Sequence, residues 1–189
     1  MWQPARVLKA NPDKAQRAVR AKALAEGKVL YVAVPRLADE LPFYLVDLED
    51  LCGSPWEAAS KEGAARAGRK VAANQLRPVD LVVCGSVVVN HQGVRVGKGG
   101  GFSDLEVAFL VEAGVLGPST VLVTTVHRLQ VVDQPLPETV HDFRVDLIVT
   151  PEEVIWCGEP RRPPGILWEH LDQDKIAEVP VLAALAAQR

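Results

Sequence analysis

The feature that most restricts the fold of this chain is a series of short apolar runs separated by segments of helical composition. The runs are ARVLKA (5–10), KVLYVAV (28–34), VDLVVCGSVVV (79–89), TVLVTTV (120–126), RVDLIVT (144–150) and EVIWC (153–157). Most are continuously apolar rather than alternating, which is typical of strands buried on both faces of a parallel sheet. Their alternation with helices predicts an α/β fold: a doubly wound, mostly parallel sheet with helices on both faces.

Two of the intervening segments have the composition of amphipathic helices. Residues 13–26 (DKAQRAVRAKALAE) end at Gly27, where a helix stop is expected, and residues 56–73 are similar in composition. We expect the basic side chains of the first segment to lie on its solvated face. These side chains are Lys14, Arg17, Arg20 and Lys22.

A third helix is predicted over residues 103–114 (SDLEVAFLVEAG). Ser103 and Glu106 stand in capping-box spacing, and Gly114 is the expected end. The apolar residues of this segment point in nearly every direction, which implies burial on all sides. Either the C-terminal tail or another subunit would have to cover it, so a homo-oligomer is possible.

The stretch CGEPRRPPGI (157–166) separates the alternating body from a tail in which DQDKIAEVP and VLAALAAQ have helical composition. The tail has too few residues to bury a core of its own, so we expect it to pack back on the body. The interpretation is a single domain over residues 1–189.

Composition excludes several classes of function. The net charge of −3 gives no general attraction to nucleic acid, and no RNA-recognition motif is present, so no nucleic-acid partner is expected. Cys52, Cys84 and Cys157 form no paired motif, which disfavours a disulfide framework or a zinc site and fits a reducing cytoplasm. No leader is recognised, and no apolar run approaches the roughly 18 residues that span a bilayer, so we expect no membrane insertion.

The stretch GVRVGKGGGFSDLE (93–106) follows an apolar run and precedes a predicted helix. Backbone amides and the helix dipole favour an anion at such a place, and Gly97, Gly99, Gly100 and Gly101 let those amides approach it closely. Arg95 and Lys98 could add charged hydrogen bonds to phosphate oxygens. The spacing matches neither the Walker A nor the Rossmann pattern, so a solvated glycine turn stays open as an alternative.

The residues of this stretch resemble a known signature. The pattern Gly-x-Arg-x-Gly-x-Gly-Gly-Gly, an aromatic residue and then Asp two places on is similar to the loop of the 5-formyltetrahydrofolate cyclo-ligases, also called methenyltetrahydrofolate synthetases. The matching residues are Gly93, Arg95, Gly97, Gly99, Gly100, Gly101, Phe102 and Asp104. The continuation DLE and the segment VVDQPLPETVHDFRVDLIVTPEEVI are still more similar to a related branch of domain-containing proteins.

The resemblance implies a fold of the NagB/CoA-transferase type and a reaction. In the family, MgATP phosphorylates the formyl oxygen of 5-formyltetrahydrofolate, and ring closure gives 5,10-methenyltetrahydrofolate, ADP and phosphate. Arg95, Lys98 and Asp104 would then be catalytic, Gly97 and residues 99–102 would bind ATP, and Asp104 and Asp146 would hold Mg²⁺.

The chain also departs from the family pattern. Two adjacent tyrosines before the aspartate are replaced by Phe102 and Ser103, the basic residue after it by Leu105, and the usual N-terminal basic helix is lacking. The acidic residue that contacts folate after the first strand has only Asp13 as a neighbour. Two functions stay open: an ATP-dependent cyclo-ligase acting on a folate or related acid, and a non-catalytic relative that binds a nucleotide or phosphate.

Two histidines downstream of the loop also invite a functional interpretation. His127 and His141 follow different strands, without the spacing of a zinc site. Structural hydrogen bonding and lining of a pocket are both left open for them.

Overall fold

A computed structural model describes residues 1–51 and 53–189. Within these residues the strands are β1 (Val7–Ala10), β2 (Val29–Ala33), β3 (Phe43–Val46), β4 (Arg69–Val71), β5 (Val79–Cys84), β6 (Val88–Asn90), β7 (Arg95–Val96), β8 (Leu116–Thr125), β9 (Val131–Val132), β10 (Leu147–Val149) and β11 (Val154–Trp156). The α-helices are α1 (Arg17–Ala25), α2 (Pro55–Ala58), α3 (Lys61–Ala67), α4 (Phe102–Glu112), α5 (Gln173–Glu178) and α6 (Pro180–Ala186). Cys52 lies outside the described residues, while Cys84 and Cys157 are free thiols.

The described part of the chain forms a main sheet of eight strands in the order β11-β10-β8-β5-β1-β2-β3-β4. The five strands from β10 to β2 are parallel, and antiparallel strands close both edges. Leu24 of α1 packs with Leu8 on one face, whereas Leu110 of α4 packs with Val7 on the other. The predicted doubly wound α/β fold is therefore confirmed.

The winding reverses direction between β1 and β5. The chain leaves β1 through α1 toward β2, and it leaves β5 through α4 toward β8, which lies on the opposite side in the sheet order. Ligands of open α/β sheets bind at the carboxyl ends of the strands where such a reversal occurs. The fold thus indicates where a binding site belongs.

The apolar run 79–89 is not one strand, as its composition had suggested. It ends as β5 at Cys84 and resumes as β6, which belongs to a second sheet with the order β7-β6-β9. The residues between them leave the main sheet: the Gln130 amide donates to the carbonyl oxygens of Ser86 and Val87, and the amide of Val87 donates to the carbonyl oxygen of Val96 in β7. Apolar composition could not show this break.

The prediction of one helix over residues 56–73 is also wrong. It contains two short helices, α2 and α3, because Ser60 accepts a hydrogen bond from the amide of Gly63 and starts a new helix. The segment then ends in strand β4, which pairs with β3. Strand β3 itself was not predicted, although Phe43 is fully buried.

Helix α4 begins differently from the prediction. Its N-cap is Gly101, in the left-handed conformation with φ 67°. The capping box expected between Ser103 and Glu106 does not form in the described structure. Glu106 instead is buried and pairs with Lys9 of β1. The end is as predicted, since Gly114 has φ 67° directly after the last turn.

The C-terminal tail covers the outer side of α4. This is one of the two alternatives predicted from the sequence, the other being a second subunit. Val179 and Leu182 of the tail share a buried cluster with Phe109 of α4 and with Leu37. Among the described residues, no helix combines the length and apolar character that a membrane crossing needs.

Candidate functional site

A cavity of about 1690 Å³ lies at the carboxyl ends of the parallel strands. Its walls come from the loops after β1, β5 and β8 and from the glycine loop, residues 97–101, before α4. This is the place at which the sheet reverses its winding. The sequence-predicted residues Arg95, Lys98, Phe102 and Asp104 all line it.

The glycine loop presents backbone amides to this cavity. Gly99 and Gly101 have φ values of 88° and 67°, which only glycine adopts without strain. No described residue accepts a hydrogen bond from the amides of residues 97–101. Free amides at the start of an eleven-residue helix favour an anion.

Arg95, which is buried, and Asp104, which is partly buried, form an ion pair at one end of the loop. Nη2 of Arg95 donates to Oδ1 of Asp104 at 2.7 Å, and the guanidinium lies 4.1 Å from the ring centroid of Phe143. Burial raises the pKa of the Asp104 carboxyl, with Asp142 adding to the effect and Arg95 opposing it. Among the described residues no donor bonds to Oδ2 of Asp104, so this oxygen is available to a cation.

Lys98 is the exposed cation of the loop. Its Nζ lies 2.7 Å from Oδ1 of Asp13, and its side chain is 79% exposed. Asp13 follows β1 and also lines the cavity. The contact links the glycine loop to the loop after β1 across the mouth of the cavity.

A buried polar network lies below the loop. Nζ of Lys9 pairs with Glu106 and donates to Oδ1 of Asn11 at 2.8 Å. The Asn11 amide donates to Oγ of Ser103, also at 2.8 Å. Burial raises the pKa of the Glu106 carboxyl, which Lys9 opposes. The network joins the end of β1 to the first turns of α4, and so fixes the position of Asp104 relative to the sheet.

Sequence reasoning missed this network, and it placed Arg20 wrongly on a solvated face. Arg20 is 1% exposed and donates to the carbonyl oxygens of Ala59 and Asp13 at 2.8 and 3.0 Å, and also to that of Asn11. Desolvation lowers the pKa of its guanidinium to about 10. One signal was available for the network: a lysine inside an apolar strand needs a buried counter-charge.

The geometry matches the loop signature of a known family. A sequence model of the 5-formyltetrahydrofolate cyclo-ligase family matches residues 1–151. The chain belongs to this family. Its mostly parallel sheet with helices on both faces is consistent with the α/β fold of this family, and the chain is a cyclo-ligase-related protein.

Curated relatives carry a related name. The chain is 37% identical to a methenyltetrahydrofolate synthase domain-containing protein of Bos taurus, over 97% of this chain and 49% of that protein. The proteins of the same name from Mus musculus and Homo sapiens are 38% and 36% identical, each over 96% of this chain and over 50% and 48% of their own length. The chain therefore spans about half the length of the curated relatives it matches.

The structure does not bring Asp146 to the other cyclo-ligase site residues. Asp146 precedes β10, at the opposite end of this strand from the cavity, and does not line it. Its Oδ2 accepts from the amide of Leu122 at 2.7 Å and pairs with Arg162. In the described part of the chain, no three His, Cys, Asp or Glu side chains are grouped to hold a metal ion.

His127 and His141 each make a hydrogen bond within the protein and each line a cavity, so both interpretations left open by the sequence apply. His127 lines the cavity, and its Nδ1 accepts from the amide of Leu129 at 3.2 Å, which caps a 3-10 helix. Nε2 of His141 lies 3.0 Å from Nδ1 of His170 of the tail. Both rings line a smaller cavity of about 280 Å³ that shares Asp104 with the large one.

Proposed function

We propose that this cyclo-ligase-related chain uses MgATP to convert 5-formyltetrahydrofolate to 5,10-methenyltetrahydrofolate. The observation that carries the proposal is the glycine loop with free amides, set beside the Arg95–Asp104 pair at the start of α4 and open to a large cavity. The family to which the chain belongs supplies the reaction.

The loop is suited to phosphate groups of ATP. Amides of residues 97–101 and the positive end of the α4 dipole would surround phosphate oxygens, and Lys98 would add a mobile cation. Lys98 would exchange its contact with Asp13 for one with phosphate, which its exposure permits. Phe102 lies at the loop end and would cover the nucleotide.

Asp104 is the proposed magnesium ligand. Its Oδ2 is available, while Arg95 occupies Oδ1 and fixes the carboxylate. A hard cation with several waters needs few protein oxygens, so one carboxylate together with phosphate oxygens is sufficient. When bound, Mg²⁺ would neutralise charge that develops on the transferred phosphoryl group. Asp146 has no place in this arrangement, because it pairs with Arg162 away from the cavity.

The proposed chemistry proceeds by two displacements. The formyl oxygen bonds to the γ-phosphorus of ATP as the bond from that phosphorus to the bridging oxygen breaks, which releases ADP. N10 of the folate then bonds to the formyl carbon, the carbon–oxygen bond breaks to release phosphate, and the N10 proton is lost. The protein's contribution is to position the two substrates and to stabilise negative charge. Asp13, at the cavity wall after β1, is the proposed acidic contact to folate.

One observation favours a second function, a relative that binds nucleotide or phosphate without turnover. The charged groups of the loop already have protein partners: Arg95 pairs with Asp104, and Lys98 with Asp13. In addition, Lys175 of the tail donates to the carbonyl oxygen of Gly100 at 3.2 Å and stacks 4.1 Å from the ring centroid of Phe102. A loop held this way could bind phosphate without closing over a second substrate.

The test is the appearance of methenyltetrahydrofolate absorbance when the purified chain receives 5-formyltetrahydrofolate, Mg²⁺ and ATP. Asp104→Asn should abolish turnover and weaken Mg²⁺-dependent ATP binding in calorimetry. Asp174→Asn is the matched control, since Asp174 also lies in the first turn of a helix but is exposed and outside the cavity. ATP binding without turnover would support the second function, and equal ATP binding by wild type and Asp104→Asn would refute the metal role.

A further inference from the structure

A glutamine that the proposed mechanism does not use has an unpaired oxygen at the cavity. Gln16 follows the loop after β1, is 1% exposed and lines the cavity. Its Nε2 donates to the carbonyl oxygen and to Oγ1 of Thr125 at 3.2 and 2.9 Å. Because a carbonyl oxygen can only accept, the amide nitrogen must face Thr125, and Oε1 faces the other way. Oε1 has no hydrogen-bond partner among the described residues.

A buried acceptor without a partner is rare in native proteins, because it has lost its hydrogen bonds to water. The side chain is held in place by two bonds through its nitrogen, so the orientation of Oε1 is set in advance of any ligand. A group arranged in this way is suited to recognise a hydrogen-bond donor.

Gly85 lies beside this oxygen and is the first residue after β5. A Cβ atom at this position would lie 3.3 Å from Oε1 of Gln16 and 2.7 Å from Oδ2 of Asp13. The φ of Gly85 is not positive, so backbone conformation does not require glycine here. What glycine provides is the absence of a Cβ, which lets the acceptor oxygens of Asp13 and Gln16 both lie close to the backbone at this wall of the cavity.

The location in the fold is also that of a ligand site. Gln16 follows β1 and Gly85 follows β5, and these are the two strands between which the winding of the sheet reverses. The crevice outside the carboxyl ends of such strands is where α/β proteins hold ligands. The glycine loop borders the same cavity, with Lys98 reaching Asp13.

We propose that Gln16 is a specificity-determining residue whose Oε1 accepts a hydrogen bond from an N–H group of a ring bound over Gly85. The inference rests on the proposed folate ligand, whose 2-amino-4-oxopteridine ring has an amino group beside a ring nitrogen. Adjacent acceptors on Asp13 and Gln16 match adjacent donors on that edge. A ring with an oxygen in place of the amino group places an acceptor against one of these two acceptors and is rejected.

The experiment measures the dissociation constants of 5-formyltetrahydrofolate, pterin and lumazine by titration calorimetry. Pterin and lumazine are bare rings that differ in the 2-amino or 2-oxo group. The wild type should bind pterin at least about tenfold more tightly than lumazine, and Gln16→Met should lose roughly tenfold in affinity for pterin and for 5-formyltetrahydrofolate. Gln92→Met, at an exposed turn position outside the cavity, should change neither affinity.

Gly85→Ala provides a second variant that leaves the Gln16–Thr125 bonds in place. It should weaken binding of pterin and 5-formyltetrahydrofolate, because the added Cβ would lie 2.7 Å from Oδ2 of Asp13 and displace that carboxylate, while Mg²⁺-dependent ATP binding stays the same. Thermal unfolding with each variant shows whether it has folded, and the KM for folate should rise more than kcat falls if turnover is present.

The outcomes separate this inference from the proposed function. If 5-formyltetrahydrofolate binds equally to wild type and Gln16→Met, the inference is refuted while the function stands, because the Gln16 carbonyl oxygen then contributes nothing to folate binding. If pterin binds in a Gln16-dependent way without turnover, the inference holds and the proposed reaction fails. If the wild type binds none of the three ligands, both are refuted.

Discussion

The buried pair of Lys9 and Glu106 should be sensitive to removal of either partner. The two side chains are 1% and 5% exposed, and their bonds join β1 to α4. Lys9→Met leaves the Glu106 carboxylate in a dry site without its counter-charge. Removing one member of a buried ion pair costs about 3–5 kcal/mol in free energy of unfolding. We expect a loss of this size near pH 8, measured by urea denaturation.

The loss should depend on pH in a defined direction. Burial already raises the pKa of Glu106 above its ordinary value of 4.5, and without Lys9 the largest opposing effect is lost and only the smaller effect of Arg95 remains. The folded variant then keeps a proton that the unfolded chain releases above its ordinary pKa. Stability of Lys9→Met should therefore fall as pH rises from about 5 to 8, by up to roughly 1.4 kcal/mol per pH unit.

Two further variants make the test specific. The double variant Lys9→Met with Glu106→Leu removes both charges and should recover most of the loss, because apolar replacement of a buried pair is often neutral. Lys70→Met breaks a pair in which the lysine is 45% exposed, and its effect should be much smaller. A loss under about 1 kcal/mol for Lys9→Met, unchanged between pH 5 and pH 8, would refute the buried pair.

Two other changes test the loops that line the cavity. Gly101→Ala should lose about 1–2 kcal/mol of stability in denaturation and most phosphate affinity in ATP titrations, because alanine is strained at φ 67°. Gly117→Ala is the control: its φ is not positive and no atom lies near the added Cβ, so it should retain both stability and phosphate affinity. Arg20→Met should lose about 3 kcal/mol in urea denaturation, because buried carbonyl oxygens lose their donor, whereas Lys22→Met, whose side chain is 62% exposed, should unfold like the wild type. Wild-type stability in Arg20→Met would contradict its role in holding the loop after β1.

How far sequence reasoning reached is clearest at the glycine loop. The four glycines, Arg95 and Asp104 lie next to each other in sequence, and a strand before them and a helix after them are local properties of the chain. Their arrangement at one end of the sheet follows from these neighbours. The resemblance to the cyclo-ligase family rested on the same local pattern, and the family match confirms it.

The parts that failed depend on partners distant in sequence. Glu106 fitted a local capping box with Ser103, but its partner is Lys9, 97 residues away. A buried lysine without a carboxylate costs more free energy than a helix end without a side-chain cap. Asp146 lies at the amino end of β10, and only the sheet topology shows that this end is opposite the cavity.

The sequence by itself determined the doubly wound fold and the position of the glycine loop, since both follow from burial of apolar runs and from glycines at a strand–helix junction. The tertiary structure alone decided which polar groups face the cavity. Arg20 could have been a solvated helix cation, and Gln16 an ordinary helix residue, until the packing of α1 against the sheet buried both. The same burial leaves Oε1 of Gln16 without a hydrogen-bond partner among the described residues, as it does Nε of Arg95 and Oδ1 of Asp146, and the Gln16 oxygen is the one from which we infer a ligand contact.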